Sequence, residues 1–308
     1  MKEMIAISTL NAKSSGVFRF IGLILMLTLM VHCQGPELDL KDVVGIMSKK
    51  LDILSRMHIN LLRSVEAEKN AVMADTDEES QTFADQSLKA ADLVDRDRQE
   101  IGRLVGKDHS DKELKLLQEF DGCWVDFRKT DRVLLDFAVK NTNLKAARLS
   151  FGPAGDAVSR FEKALNSLIS IQPTSQSDDR IPKLTCRALT AGLKIHYLQA
   201  PHIAAADDQR MDKIEAAIKQ HEQEINESLK TVKALVPPEK QEAYQEAKNA
   251  FNELMKVTAQ VIDLSRQNTN IKSFELSLGR KRKISTQCGE ILVSLEEAVK
   301  AREFKATR

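Results

Sequence analysis

The chain has 308 residues, a net charge of +1 and charged side chains at 30% of its positions. Its length suits about two ordinary domains. Nucleic-acid-binding proteins usually carry a strong positive field or a surface of aromatic rings. This chain is almost neutral and only 5% aromatic, so we expect no nucleic-acid partner.

The N-terminus is typical of an export signal. Lys13 and Arg19 precede an uninterrupted apolar run over residues 20–31, which is too short to span a bilayer comfortably. We therefore interpret residues 1–35 as a signal peptide or membrane anchor and predict a periplasmic or other extracytoplasmic location. Three outcomes stay open: cleavage near Gly35, lipid attachment at Cys33, or a retained anchor that associates with the membrane. The residues before Cys33 resemble a bacterial lipoprotein box, but His32 replaces its usual small residue.

The first half of the mature chain has the periodicity of four long helices. Apolar residues such as Met47, Leu51 and Leu54 recur every three or four positions, which places them on one face of a helix. Similar patterns follow up to residue 171, with short turns between them. Short turns make neighbouring helices antiparallel, so residues 38–171 predict an up-down-up-down four-helix bundle.

The second half repeats the first. The twelve-residue segment from Asn141 to Gly152 recurs as a similar segment from Asn268 to Gly279, with each pair 127 positions apart, and Trp124 falls on Phe251 at the same offset. Residues 172–182, rich in Ser, Asp and Pro, form the predicted linker, and residues 183–308 form the second copy. The predicted fold class is all-α, with two tandem up-down-up-down four-helix bundles.

Polar residues interrupt the apolar faces at His58, Glu68, Asp97 and Asp131. Such residues are usually satisfied core groups that fix helix register, and the alternative is a ligand site between helices. With Arg148 they form the candidate ligand-binding set. Matching helix levels across the antiparallel first and fourth helices predicts an ion pair between Glu68 and Arg148.

Two further sites follow from residue chemistry. In an exported protein disulfides are permitted, and the same level matching in the second bundle predicts a bond between Cys186 and Cys288. The basic run of residues 280–283 is interpreted as a solvated face, with binding to an anionic lipid head group or polyanion as the alternative.

The chain shows no pattern typical of catalysis. The spacing of His, Cys, Asp and Glu matches no metal site, and we find neither a nucleophile motif nor a phosphate-binding glycine loop. We therefore predict no enzyme activity, no metal and no cofactor.

Several short segments resemble the four-helix-bundle sensor domain of bacterial methyl-accepting chemotaxis receptors and related histidine kinases. These are Ala67-Glu68-Lys69-Asn70, an aromatic residue at Trp124, the turn at 141–143, Arg148, and Leu149-Ser150-x-Gly152. The resemblance covers residues from about 50 to 171 and, more weakly, 183–304. It implies an extracytoplasmic sensor, and we expect a sensor-type bundle pair without the second membrane helix or the signalling domain of those receptors.

The resulting hypothesis is an exported sensory accessory protein that binds a small ligand or a partner helix without catalysis. Its partner would be a signalling protein, and the sequence leaves open whether the chain is a monomer or a homodimer. The alternatives are a structural or adaptor protein of the envelope and a truncated receptor or kinase sensor region.

Overall fold

A computed structural model describes residues 40–108, 110–169 and 180–306. Nearly all of these residues are helical, and the described ranges contain no strand, which confirms the predicted all-α class. The export signal, Cys33 and most of the predicted linker lie outside the described residues.

The first copy contains five α-helices. They are α1 (Leu40–Met73), α2 (Asp77–Asp108), α3 (Asp111–Lys140), α4 (Thr142–Leu149) and α5 (Gly155–Ile169). A π-helical turn at Ser150–Ala154 joins α4 to α5, so these two short helices together form the predicted fourth helix. Pro153 lies in this turn, where the α-helical hydrogen-bond ladder is already interrupted.

The second copy repeats this order. It contains α6 (Arg180–Ile203), α7 (Asp208–Leu235), α8 (Gln241–Gln267), α9 (Thr269–Leu276) and α10 (Arg282–Ala306). A second π-helical turn, Ser277–Lys281, joins α9 to α10, and a short 3-10 turn, Pro238–Lys240, precedes α8. The helix bounds agree with the sequence prediction to within a few residues.

The two copies exchange their fourth helices. Helix α10 packs against α1 and α3, and its apolar residues belong to the same core as theirs. Helix α5 packs instead against α6 and α8. The first bundle therefore consists of α1, α2 and α3 with α9–α10, and the second consists of α6, α7 and α8 with α4–α5. The predicted bundles of residues 38–171 and 183–308 are wrong in this respect, because each fourth helix completes the other copy's core.

A pair of one-residue turns makes this exchange. Asn141 and Asn268 each adopt the left-handed conformation, with φ of 50° and 57°, and send the chain into the opposite bundle. The two turns meet around a local twofold arrangement. The backbone N–H of Thr142 donates to Oγ1 of Thr269, and the N–H of Thr269 donates to Oγ1 of Thr142, both at 3.2 Å.

The exchange leaves the start of α1 and the end of α10 at the same end of the first bundle. There the buried Glu113 of α3 accepts from Lys50 of α1 at 2.6 Å and from Arg302 of α10 at 3.2 Å. The opposite end of this bundle meets the second bundle at the asparagine turns. The two bundles are therefore joined at one end of each.

Candidate functional site

The predicted ion pair between Glu68 and Arg148 is wrong. Arg148 is exposed and donates to the backbone oxygen of Asp75 at the junction. It lies on α4, which has crossed into the second bundle, so Glu68 faces the exchanged turn that ends at Lys281. The prediction matched Glu68 to the correct level of a fourth helix, but that helix comes from the other copy.

The predicted disulfide fails for the same reason. Cys288 lies on α10 in the first bundle and is bonded to Cys123 of α3, with a Cα–Cα distance of 5.7 Å. Cys186 is a free, exposed thiol on α6. The helix exchange separates Cys186 from Cys288 and gives Cys288 a different partner.

A buried charged layer crosses the first bundle near the junction. It consists of Glu68 of α1, Asp131 of α3 and Lys281 at the end of the second π-helical turn, each at most 1% exposed. The Lys281 ammonium is 2.5 Å from Oδ1 of Asp131 and 3.2 Å from the ring centroid of Phe127. Both carboxyl oxygens of Glu68 and Oδ2 of Asp131 have no hydrogen-bond partner among the described residues.

Burial shifts the titration of this layer. It raises the pKa of the Glu68 carboxyl above its ordinary value, and the nearby Ser277 hydroxyl and Lys281 ammonium offset this only in part. Burial also lowers the pKa of Lys281 to about 8, although the negative charge of Asp131 acts in the opposite direction. The layer therefore favours a protonated Glu68 beside a Lys281–Asp131 ion pair.

Sequence reasoning missed Lys281 as a core residue. The basic run at 280–283 was predicted to be a solvated face, which is wrong for Lys281 because this position lies seven residues before the buried Cys288, on the same face of the helix. The repeat carried a signal for this, since Lys281 is equivalent to Ala154, which is also buried at the end of a π-helical turn. The first π-helical turn exposes Phe151, which a regular helix would turn inward.

A groove of about 530 Å³ runs between α1 and α10 on the outside of the first bundle. Its lining includes His58, Leu62 and Val65 of α1 and Thr286, Glu290 and Glu297 of α10. Val65 and Ser285 line its junction end, and each lies about one helical turn from the charged layer. The groove and the charged layer therefore share the contact between α1 and the exchanged helix.

The remaining candidate, Asp97, lies elsewhere. It accepts from Arg56 at 2.8 Å in an ion pair between α2 and α1 on the bundle surface. Of the five predicted ligand-binding residues, the structure brings Glu68 and Asp131 into one layer and places His58 in the adjacent groove. Asp97 and Arg148 belong to separate contacts.

The second bundle carries a neutral layer at the equivalent level. Gln199, Thr258 and Ala154 stand in place of Glu68, Asp131 and Lys281, because Gln199 is buried on α6 as Glu68 is on α1, whereas the next residue, Ala200, is exposed. Here the side-chain amide of Gln199 donates to Oγ1 of Thr258 at 2.8 Å. The charged layer is therefore a property of the first bundle alone.

The helices of the described ranges carry neither a metal-binding cluster nor a membrane-spanning segment. Within the described ranges, no group of His, Cys, Asp and Glu side chains is arranged to hold a metal ion. None of the helices in those ranges combines the length and apolar character that crossing a bilayer requires.

The comparison with known families gives one match. Residues 199–290 match the family described as a four helix bundle sensory module for signal transduction. The match falls on the second copy, where the sequence resemblance was the weaker of the two. No curated protein and no solved structure matches the chain. A sensory four-helix-bundle module of signal transduction is thus found at residues 199–290.

Proposed function

We propose that this protein is an exported, non-catalytic sensor whose first bundle binds a small ligand in the groove between α1 and α10. Binding would change the packing of these two helices and so inform a signalling partner. The observation that carries the proposal is the groove itself, which lies against a buried charged layer within a sensory fold. The family is a signalling module rather than a catalytic domain, which agrees with this function.

The lining of the groove favours an organic amine. Its described lining includes Glu290 and Glu297 but no Lys or Arg, and Val293 lies between the two carboxylates. Seven residues along an α-helix span about 10 Å, so the carboxylates suit two ammonium groups joined by an apolar chain of that length. Leu61, Leu62 and Val65 of α1 offer apolar contact on the facing side.

Specific side-chain contacts fix α10 to α3 and α1 to α2. The Cys123–Cys288 disulfide and the Lys281–Asp131 ion pair tie α10 to α3. Helix α1 is tied to α2 by the hydrogen-bonded hydroxyls of Ser64 and Ser87 at 3.1 Å and by ion pairs on the surface. A ligand between α1 and α10 therefore acts at the contact of two helices that are each fixed to another neighbour, and small shifts between packed elements are a common form of signalling.

Two observations support export. The leader has the pattern of a secretory signal, and the disulfide indicates an oxidising compartment. Membrane association through the N-terminus would place the common end of α1 and α10 nearest the membrane. A signalling protein in the same membrane, or a second copy of the chain, would then be the receiver.

Titration of residues 36–308 with 1,8-diaminooctane or spermidine, followed by calorimetry and thermal unfolding, tests this proposal. We expect saturable binding, and a ligand at 100 times its Kd should stabilise the fold by about 2.7 kcal/mol. Glu290→Gln with Glu297→Gln should weaken binding at least tenfold, whereas Glu227→Gln, on an exposed face of the second bundle, should not. Butylamine should bind more weakly because it carries one charge.

The result that contradicts the proposal is an absence of stabilisation by these amines and by a wider set of amino and organic acids. That result would favour the structural or adaptor alternative, in which the joined bundles act as a spacer.

A further inference from the structure

We infer that the buried layer of the first bundle is a proton-operated switch, in which the Lys281 ammonium bonds Asp131 alone when Glu68 is protonated and is shared between Asp131 and Glu68 when Glu68 ionises. The switch ties α10 to α3 alone in one state and to both α3 and α1 in the other. This inference does not depend on a ligand in the groove, since it rests on three side chains in the core.

The geometry offers one cation to two carboxyl groups. Lys281 is bonded to a single oxygen of Asp131, and the second oxygen of that carboxylate is buried and has no partner among the described residues. Glu68 lies in the same layer, and both of its carboxyl oxygens are also buried without a hydrogen-bond partner among the described residues. A buried carboxylate without a partner is strongly unfavourable, so an ionised Glu68 must obtain a hydrogen bond or charge from its neighbours.

Among the described residues, Lys281 and Lys69 are the cations whose charge acts on Glu68, and of these two only Lys281 is buried. Lys69, the next residue of α1, is partly exposed. Arg128 of α3 pairs with Asp92 and Asp95 of α2, at 2.6 and 3.4 Å, while its Nη1 is buried without a hydrogen-bond partner among the described residues. The π-helical turn contributes Ser277, whose hydroxyl favours the ionised form of Glu68.

Charge balance defines the two states. With Glu68 protonated, the layer holds one positive and one negative charge, and the ion pair links α10 to α3. When Glu68 ionises, the layer holds two negative charges for one ammonium, and attraction from both sides moves Lys281 to a position between the two carboxylates. Because Lys281 ends a π-helical turn, a change in the local hydrogen-bond pattern can move it without unwinding α10.

The second bundle serves as an internal control for this interpretation. It has the same π-helical turn at Ser150–Ala154, yet all three charged positions are neutral there. The module therefore folds around a neutral layer. The three charged residues occur together in the first bundle, as expected if the switch requires all three.

The protein contains its own reporter of the switch. Trp124, the only tryptophan in the chain, stacks on Phe127 with ring centroids 4.6 Å apart. Phe127 is the ring that the Lys281 ammonium contacts. Movement of this charge alters the electric field around the stacked rings, so the emission of Trp124 should follow the state of Lys281.

The test is a fluorescence titration of oxidised, ligand-free residues 36–308 between pH 4 and 7.5. We expect one sigmoidal shift of Trp124 emission with a midpoint above pH 4.5. Glu68→Gln, a close mimic of the protonated carboxyl, should keep the acid-form emission throughout. Glu68→Gln with Asp131→Thr and Lys281→Ala, which copies the second bundle's Gln199, Thr258 and Ala154, should fold and show no transition.

Two control variants separate this transition from nearby titrations. Asp95→Asn removes the carboxylate that accepts from the Trp124 indole at 2.7 Å, and Glu113→Gln removes another buried carboxylate of the same bundle. Both should retain the transition. Hydrogen exchange supplies a second measurement: after correction for intrinsic rates, protection at Ser277–Lys281 should change with pH in the native protein but not in Glu68→Gln.

A transition that survives in Glu68→Gln, or a native protein with no transition at all, would overturn the switch. Neither result would bear on amine binding in the groove, because no ligand is present.

Discussion

The two bundles are built from equivalent helices, yet their middle layers differ in kind. At one level the first bundle buries Glu68, Asp131 and Lys281, while the second carries small or neutral residues and a hydrogen bond from Gln199 to Thr258. Replacing a buried ion pair by neutral residues often leaves stability unchanged or higher. The comparison therefore indicates that folding does not require the charged layer, and it agrees with the proposal that the first bundle is the responsive part of the molecule.

A second difference concerns how each exchanged helix is fixed. In the first bundle Cys288 of α10 is bonded to Cys123, whereas the equivalent positions in the second bundle are Phe161 and Ala250. Phe161 contacts Phe251 with ring centroids 5.9 Å apart and fills the space beside Gly192. One exchanged helix is thus held covalently and the other by aromatic packing.

Breaking the disulfide gives the largest expected effect. The bond joins residues 165 positions apart, and closing so long a loop stabilises by about 5 kcal/mol at most. Reduction, or Cys123→Ala with Cys288→Ala, should lower the melting temperature of the first bundle far more than that of the second. Trp124 reports the first bundle by fluorescence, and the chain's two tyrosines, Tyr197 and Tyr244, report the second by second-derivative absorbance.

Cys186→Ser is the matched control for this experiment, because its thiol is free and exposed. It should leave both melting transitions in place. Equal shifts of the two transitions on reduction would show that the covalent link stabilises the molecule as a whole, and the contrast between the bundles would be lost.

The next effect comes from making the charged layer incomplete. Asp131→Thr introduces the second bundle's residue but leaves the Lys281 ammonium without its carboxylate, which should destabilise by about 3 kcal/mol. Adding Lys281→Ala should recover most of that loss, and a double-mutant cycle measured in urea gives the coupling. If the two changes are additive instead, Lys281 and Asp131 do not depend on each other in the folded protein.

Much of the fold could be predicted from the sequence, because helix periodicity and short turns are local properties. The exchange could not, since α4–α5 and α9–α10 carry equivalent apolar faces and either would fit either core. Only interactions between residues far apart in the sequence show which fourth helix belongs to which core. These interactions are those of Lys281 with Glu68 of α1 and Asp131 of α3, and the disulfide of Cys288 with Cys123.

The candidate site was predicted in part for the same reason. Glu68 and Asp131 interrupt apolar faces, so periodicity alone identifies them. Lys281 was missed because it lies in a run of four basic residues, a composition typical of a solvated face, although its position seven residues before the buried Cys288 lies on the core face. Arg148, predicted to face Glu68, is equivalent to Glu275 in the helix that replaces it. Position 275 lies about half a helical turn from Ser277, which is the residue near Glu68.

Substitutions at the two asparagine turns of the junction should have equal effects on stability. Ala at Asn141 or Asn268 must adopt a left-handed conformation and loses side-chain hydrogen bonds, so each substitution should cost about 2 kcal/mol. Gly should cost less than Ala at both positions, because only the hydrogen bonds are lost. Urea denaturation of the four variants measures this, and a large inequality between the two asparagines would mean that the junction is not energetically symmetric.

The smallest expected effect is a difference in the sign of two pH dependences. In the second bundle burial raises the pKa of Glu215, but hydrogen bonds from Arg266 at 2.7 Å and His202 at 2.9 Å have the larger, opposite effect. The pKa of Glu215 therefore lies below its ordinary value. A lowered carboxyl pKa stabilises the fold above the unfolded-state pKa of about 4.5, and that stability is lost as the pH falls through the folded-state pKa. Glu215→Gln should therefore destabilise by about 1 kcal/mol at pH 7 and have little effect near pH 3.

Glu68 should show the opposite dependence, because its pKa is raised by burial. Its stabilising effect is fully present below pH 4.5 and is lost as the pH rises through the folded-state pKa. Glu68→Gln should consequently match the native protein in acid and exceed its melting temperature at pH 8. Thermal unfolding of both variants across this range would show two difference curves of opposite slope. Curves of the same slope would mean that the charged layer and the Glu215 network respond to protons alike, and the distinction between a responsive first bundle and a neutral second layer would fail.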